Sequence, residues 1–427
     1  MEFKEIILDD LVEFYVDNRG KTCPVVEKEY SFLPLIATNC ITDDLHPRFD
    51  KIRYVDKQTY QKWFRSHPVE NDILFVNKGT PGGTALVPKD VDFCIAQDMV
   101  ALRIKKEYDF SYVFAALRSK LVKQRIESMH VGTMIPHFKK GDFKLLTIPV
   151  PNIKNQEKIG RAHLNLLVKI DVNKQIIKNH EQIARTLFKR WFIDFEFPNE
   201  DGEPYRSSGG KMWESELGEI PEGWKVITIK DVCDANKRSL TKKDNWSYIN
   251  YLDTSNITKN SIEDIQFIDA TKDKVPSRAK RKVQTNDVVY STVRPNQQHY
   301  GIIKEPIENM VVSTGFTVLS SKGKYSNDLI YLWLTQKEVI SNLQAIAEQS
   351  TSAYPSIKAD DILSLKILLP SQRELDMISR IIDLQNKLIW NKQQENKKLS
   401  ELRDTLLPKL LSGEIEIPAE SEVLEHV

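Results

Sequence analysis

Two long stretches dominate the pattern of apolar and polar positions. In the first, Ile159, Ala162, Leu166, Ile170, Asn173, Ile177, His180, Ile183, Leu187 and Trp191 follow at steps of three and four. The second gives Leu375, Ile378, Ile382, Gln385, Ile389, Lys392, Asn396, Leu399, Leu402, Leu406 and Leu410. Roughly 38 residues at this spacing predict coiled-coil helices rather than short amphipathic ones. Pro408 is expected to end or kink the second near Leu407, because proline has no N–H to donate. The polar seam positions choose an orientation. An antiparallel register that sets His180 against Gln385 also sets Asn173 against Lys392, Ile159 against Leu406, Leu166 against Leu399 and Ile183 against Ile382. A parallel register leaves Asn173 facing Ile389, and an unpartnered buried amide costs about 1 to 3 kcal/mol. The alternative is that each helix packs only on its own domain.

Outside these helices the chain repeats itself at an interval of about 220 residues, too long for a solenoid. ENDILFVNKGTPGG, around Asp72, matches TNDVVYSTVRPNQQ, around Asp287; each reads as an acid, a buried strand and a polar loop punctuated by Gly or Pro. IPHFKKGDFKLLTIPVP parallels YPSIKADDILSLKILLP, pairing Pro136 with Pro355, Asp142 with Asp361 and Pro151 with Pro370. The opening KEIILDDLVEF echoes KVITIKDVCDA from Lys225. The matches are collinear, which points to a duplicated α/β unit. The implied layout is a globular domain over 1–152, a helix over 153–195, a linker over 196–223, a second domain over 224–370, a second helix over 371–412 and an acidic tail over 413–427. The linker is rich in Gly, Ser, Pro and charge and reads as flexible; the tail has five glutamates and no Lys or Arg, and reads as disordered.

Composition narrows the class. The 427 residues carry 61 Lys and Arg against 60 Asp and Glu, so the total does not announce a nucleic-acid binder. The distribution says more: Arg118, Lys120, Lys123, Arg125, Lys139 and Lys140 stand against Glu127 alone within 117–140, and Lys274, Arg278, Lys280, Arg281, Lys282 and Arg294 against Asp287 alone within 274–294. Two such clusters suggest phosphate contact; solvated faces are the plainer reading. Cys23, Cys40, Cys94 and Cys233 form no CxxC pair, which argues for small core residues in a reducing compartment. No apolar run reaches the roughly 18 residues of a membrane span and the start MEFKEIILDDL lacks a basic n-region, so a cytoplasmic location is expected. Catalytic signatures are missing too. GTPGGT at Gly79 lacks the Lys-Ser/Thr of a phosphate-binding loop and reads as a turn, no HExxH or His/Cys cluster offers metal-ligand spacing, and no dinucleotide fingerprint follows a strand.

A duplicated module, each copy followed by a long helix, resembles the specificity subunits of type I restriction-modification systems. WESELGEIPEGW (213–224) looks like the segment that introduces the second target recognition domain, LLPKLLSGEIEI (406–417) like the chain ending, and RTLFKRWFIDFEFP from Arg185 like its first-copy counterpart. The resemblance spans about Lys4 to Ile417. It implies a mixed α/β fold with two similar target recognition domains separated by two long helices that form an antiparallel coiled coil. It implies too that each domain reads half of a split double-stranded DNA site while the helices set the spacing. Two methyltransferase subunits, carrying S-adenosylmethionine, and restriction subunits would be the partners, with no catalysis, cofactor or metal in this chain. Trp191, Phe192 and Trp390 stand out as candidate exposed anchors for those partners, with closure of the coiled-coil end the alternative for Trp191. A coiled-coil scaffold whose two domains bind proteins is the competing class.

Base edges are read by Arg on guanine and by Asn or Gln on adenine, with Lys and Arg on phosphates. The candidates are therefore Asn77, Lys78 and Thr80 after the first matched strand, and Arg294, Asn296, Gln297, Gln298 and His299 after the second. A second set precedes or follows the matched prolines: His130, Thr133, His137, Lys139 and Lys140, and Ser350, Thr351, Ser352, Tyr354 and Lys358. Lys280 and Arg281 are candidates for phosphate. An ordinary exposed loop, or residues that only cap a helix, is the competing reading of both sets.

Overall fold

The protein is described by a computed structural model over residues 1–18, 22–49, 52–129, 136–323, 325–349 and 355–418. It forms two compact units, Met1–Gln175 with Lys392–Val427, and Ile176–Asn391. The first holds β1 (Lys4–Ile7), β2 (Val12–Asp17), β3 (Leu33–Ile36), β4 (Arg53–Val55), β5 (Ile73–Val76), β6 (Thr84–Leu86), β7 (Cys94–Ile95), β8 (Met99–Ile104) and β9 (Thr147–Val150). In the second lie β10 (Met212–Ser215), β11 (Gly218–Pro221), β12 (Lys225–Thr228), β13 (Cys233–Ala235), β14 (Tyr248–Leu252), β15 (Ile257–Thr258) and β16 (Ser261–Ile262). They are followed by β17 (Gln266–Asp269), β18 (Ala279–Lys282), β19 (Asp287–Ser291), β20 (Tyr300–Ile303), β21 (Met310–Ser313), β22 (Phe316–Ser321) and β23 (Lys366–Leu369).

The sheets repeat as the sequence does. The order β2-β8-β5-β6 in the first unit corresponds to β13-β22-β19-β20 in the second, and β1 pairs with β9 as β12 pairs with β23. In the smaller sheets β3 lies antiparallel to β4 and parallel to β7, as β14 lies antiparallel to β17 and parallel to β21. The second copy adds β18 along the β21 edge. Continuous apolar runs make the central strands: every residue of β5 and of β19 is buried, as expected of a strand covered on both faces.

The long helices run Ile153–Phe192 and Gln372–Ser412. In the first unit Ile159 and Leu167 share a core with Leu407, Leu410 and Leu411, and Asn173 Nδ2 donates to Asn396 Oδ1 at 2.9 Å. In the second unit Phe188 and Phe192 share a core with Leu375 and Ile378, and His180 Nδ1 meets Gln385 Oε1 at 2.5 Å. Within each unit rising numbers on one helix meet falling numbers on the other, so the pairing is antiparallel. Gly160 lets the first long helix pack closely on its module, since a Cβ would come within 2.5 Å of the Tyr112 backbone nitrogen.

Several expectations need correction. Asn173 meets Asn396, one turn beyond Lys392, which instead pairs with Glu395 at 2.7 Å. Ile159, Ile170, Asn173 and Trp191 are buried as expected, but Ile183 is exposed, and His163, Leu167, Ala184 and Phe188 are buried one residue after an expected seam position. The cause is that each half-helix also covers its own module: Phe188 packs edge-on to Trp333, and His163 lies beside Phe114. The second helix continues through Pro408; Pro408 is exposed, so water can serve the carbonyl that its missing N–H leaves unpaired. The 196–223 segment is no flexible linker: β10 and β11 form a hairpin, Phe197 stacks on Tyr205 and Trp224, and Phe195 meets Trp224 edge-on. Trp191 and Phe192 are buried in that core, not exposed, while Trp390 is half-buried and donates to Glu305 Oε1 at 3.1 Å. The start of the acidic tail is also ordered, with Ile415 and Ile417 against the first core and Glu416 on the N-terminal ammonium at 2.8 Å.

Candidate nucleic-acid interface

Each module builds its polar loop in the same way, beginning from the acid that opens the central strand. Asp72 is buried, accepts from the Val69 amide at 2.9 Å and is gripped by Arg103 through two bonds of 3.0 Å. Asp287 accepts from the Gln284 amide at 2.7 Å, from Arg238 at 2.7 Å and from the Ser320 hydroxyl at 2.7 Å. The acid is the same in both copies, but its arginine comes from different strand surroundings. A buried carboxylate with charge-assisted partners fixes where the strand starts, and so where its far end delivers the loop.

At that far end the two candidate segments of each module join. The Phe138 amide donates to Asn77 O at 2.7 Å, the Gly79 amide to Pro136 O at 3.1 Å, and Lys78 bridges His137. In the second module the Ile357 amide donates to Thr292 O at 2.8 Å, the Arg294 amide to Pro355 O at 3.0 Å, and Val293 bridges Ser356. The described members of the two sets thus lie together in each module. Lys78, Thr80, His137, Lys139 and Lys140 are exposed in the first; Arg294, Asn296, Gln297 and Lys358 are exposed in the second, with Gln298 half-buried. His130, Thr133, Ser350, Thr351, Ser352 and Tyr354 lie outside the described residues.

Gly79 and Arg294 occupy the same place in the two loops, and both are left-handed, at φ +94° and +46°. Glycine adopts that conformation freely, whereas an L side chain there costs roughly 1 to 2 kcal/mol. Gln298 closes the short Pro295–Gln297 turn in the same region, at φ +61°. Two polar residues are thus held in a costly backbone conformation around one exposed turn.

Other candidates are structural. Asn77 is fully buried and its amide donates to Phe138 O at 3.0 Å, so it braces the loop and cannot reach a base. The His299 ring is half-buried on Ile257 O at 2.7 Å. Much of the first basic cluster is spent internally. The Arg118 side chain is buried against the Asp43 and Asp44 carbonyls, Arg125 pairs with Glu5 at 2.6 Å, and Lys140 stands 3.9 Å from Asp17. Burial pushes the Arg118 guanidinium down to about 10, and the Arg125 contact holds Glu5 below the usual carboxylate range. In the second cluster Lys282 pairs with Asp244 and lies over the Trp246 ring, while Lys280 is exposed and Arg281 half-buried.

Among the described residues no three His, Cys, Asp or Glu side chains gather to hold a metal ion, and no helix is long and apolar enough to cross a membrane. Cys23, Cys40, Cys94 and Cys233 are all buried free thiols.

The family profile described as the type I restriction modification DNA specificity domain matches residues 1–182 and again 221–401. The MjaVIII type I restriction enzyme specificity subunit of Methanocaldococcus jannaschii is 24% identical over 430 residues, covering 97% of this chain and 93% of its own. The EcoKI specificity subunit of Escherichia coli is 20% identical, covering 90% of this chain and 82% of its own. In fold, the chain is similar to the type I restriction-modification S subunit from M. genitalium, with a TM-score of 0.59 at 16% identity and 96% of each chain covered. Two copies of one profile, falling on the two modules that the sheets repeat, show that this chain belongs to the type I restriction-modification DNA specificity family.

Proposed function

We propose that each module reads one half of a split double-stranded DNA site through its joined loops, and that the chain itself carries out no chemistry. The observation that carries this reading is the equivalent loop junction in both copies, with an arginine held left-handed in the second where the first has glycine. Arg294, Asn296 and Gln297 have the donor sets that match guanine and adenine edges, and Lys78, His137, Lys139 and Lys358 suit phosphate or base contact. Methylation would fall to partner subunits that bring S-adenosylmethionine and take the flipped adenine into their own pocket. Docking of those methyltransferase subunits on the long helices is supported by exposed apolar pairs one turn apart, Val168 with Val172 and Leu384 with Leu388. Restriction subunits would join the assembled core. Mapping adenine methylation across the host genome with and without this gene tests the reading: one two-part motif should lose its methylation on deletion, and an unchanged map overturns it.

A further inference from the structure

The second module carries a basic edge that has no counterpart among the described residues of the first. Strand β18 lies along the β21 edge, and its pairing slips between Ala279 and Arg281, which leaves Lys280 as the extra residue of a β-bulge. A bulge at a sheet edge turns a side chain away from the ladder. Lys280 and the preceding Arg278 are exposed, and neither has an ion pair among the described residues. Arg281 is half-buried, and its buried Nε has no hydrogen-bond partner among the described residues. Lys282 is already held by Asp244 and Trp246, which pins the end of the strand and leaves Arg278 and Lys280 exposed beside it. The edge also connects to the reading loop. The Thr314 amide donates to Arg278 O at 2.8 Å, and Gly315 O accepts from the Thr292 amide at 2.8 Å, two residues before Arg294. Arg278 and Arg294 are therefore joined across one short turn.

We propose that Arg278, Lys280 and Arg281 hold the DNA sugar-phosphate backbone beside the second reading loop, making the second module the stronger electrostatic anchor. The inference rests on the reading of that module as a DNA reader. The first module's equivalent sheet ends without such a strand among the described residues, and its cations Arg118, Lys123, Arg125 and Lys140 face Asp43, Glu5 and Asp17. Phosphate neutralisation releases counterions, so each contact adds about 0.9 to the slope of log affinity against log salt.

The experiment uses the full chain co-purified with its methyltransferase subunits and a fluorescent 30-base-pair duplex of random sequence, titrated from low to high salt. Arg278→Ala with Lys280→Ala should lower the slope by about two and weaken random and methylated-motif duplexes alike. Lys120→Ala with Lys123→Ala in the first module should change it by less than one. The Gln versions of the second-module pair keep the test sound if the Ala pair melts early. An unchanged slope, or an equal loss from the first-module pair, overturns the anchor. Failure of the unaltered complex to retain duplex at low salt overturns the DNA reading itself, so the two failures are distinguishable.

Discussion

Arg294 joins a backbone cost to a functional side chain. Replacing it with glycine removes the guanidinium and relieves the left-handed strain, so Arg294→Gly should hold or raise the melting temperature while weakening specific DNA binding by about 1 to 3 kcal/mol. Methylation mapping should show one base of one half-site relaxed; an unaltered motif removes Arg294 from the readout. Asn77→Ala should do the reverse, costing about 1 to 3 kcal/mol of stability with no change of motif, because Phe138 O loses its donor in the core. His163 is buried in the first unit, and neither ring nitrogen has a partner among the described residues. Burial first, then Arg118 and Arg403, hold its pKa down to about 3. The folded chain therefore binds fewer protons there than the unfolded chain, whose imidazole titrates near 6.5, and stability present above that value is lost as the pH falls toward 3. Lowering the pH from 7 to 5 should cost about 2 kcal/mol through this group, measured by urea unfolding, and His163→Phe should remove that part of the loss. The sequence flagged Arg294 through its donors. It did not flag His163, because its neighbours Ala162 and Leu166 fit the helical spacing equally well.

At the level of elements, helical periodicity located both long helices, and the repeated acid followed by an apolar run located the two central strands, whose burial follows from that run. The polar pair Asn173 and Asn396 lies across the antiparallel helices, and Asn173 Oδ1 has no partner among the described residues. Changing both to Leu should raise thermal stability by several degrees while relaxing the register, since buried amides specify alignment at the expense of stability. A fall in melting temperature in the double Leu variant would assign the pair to stability instead. Pro408 shows the limit of local rules: proline disfavours helix interiors, yet packing of Leu407, Leu410 and Leu411 carries the helix past it.

The duplication governs the whole molecule. Two matching sheets, two matching loop junctions and two matches to one family profile describe a reader used twice. The exposed apolar pair Leu384 and Leu388 gives the partner reading a direct test. Leu384→Glu with Leu388→Glu should reduce recovery of the methyltransferase subunit by about 30-fold or more without lowering the melting temperature, which is the scale of a lost hot spot. Undiminished recovery would move docking elsewhere. The chain alone determined the repeat, the helices, the family likeness and the polar character of the loops, because these depend on the order and spacing of side chains. Tertiary structure decided which of those side chains face outward. Asn77 and Arg294 are both polar loop residues in sequence, yet one is sealed beneath Phe138 and the other left exposed on a strained turn. Trp191 could be an anchor or core by composition, and the hairpin and aromatic stack around it made it core. Burial depends on what a distant segment brings into contact, and spacing along the chain does not carry that information.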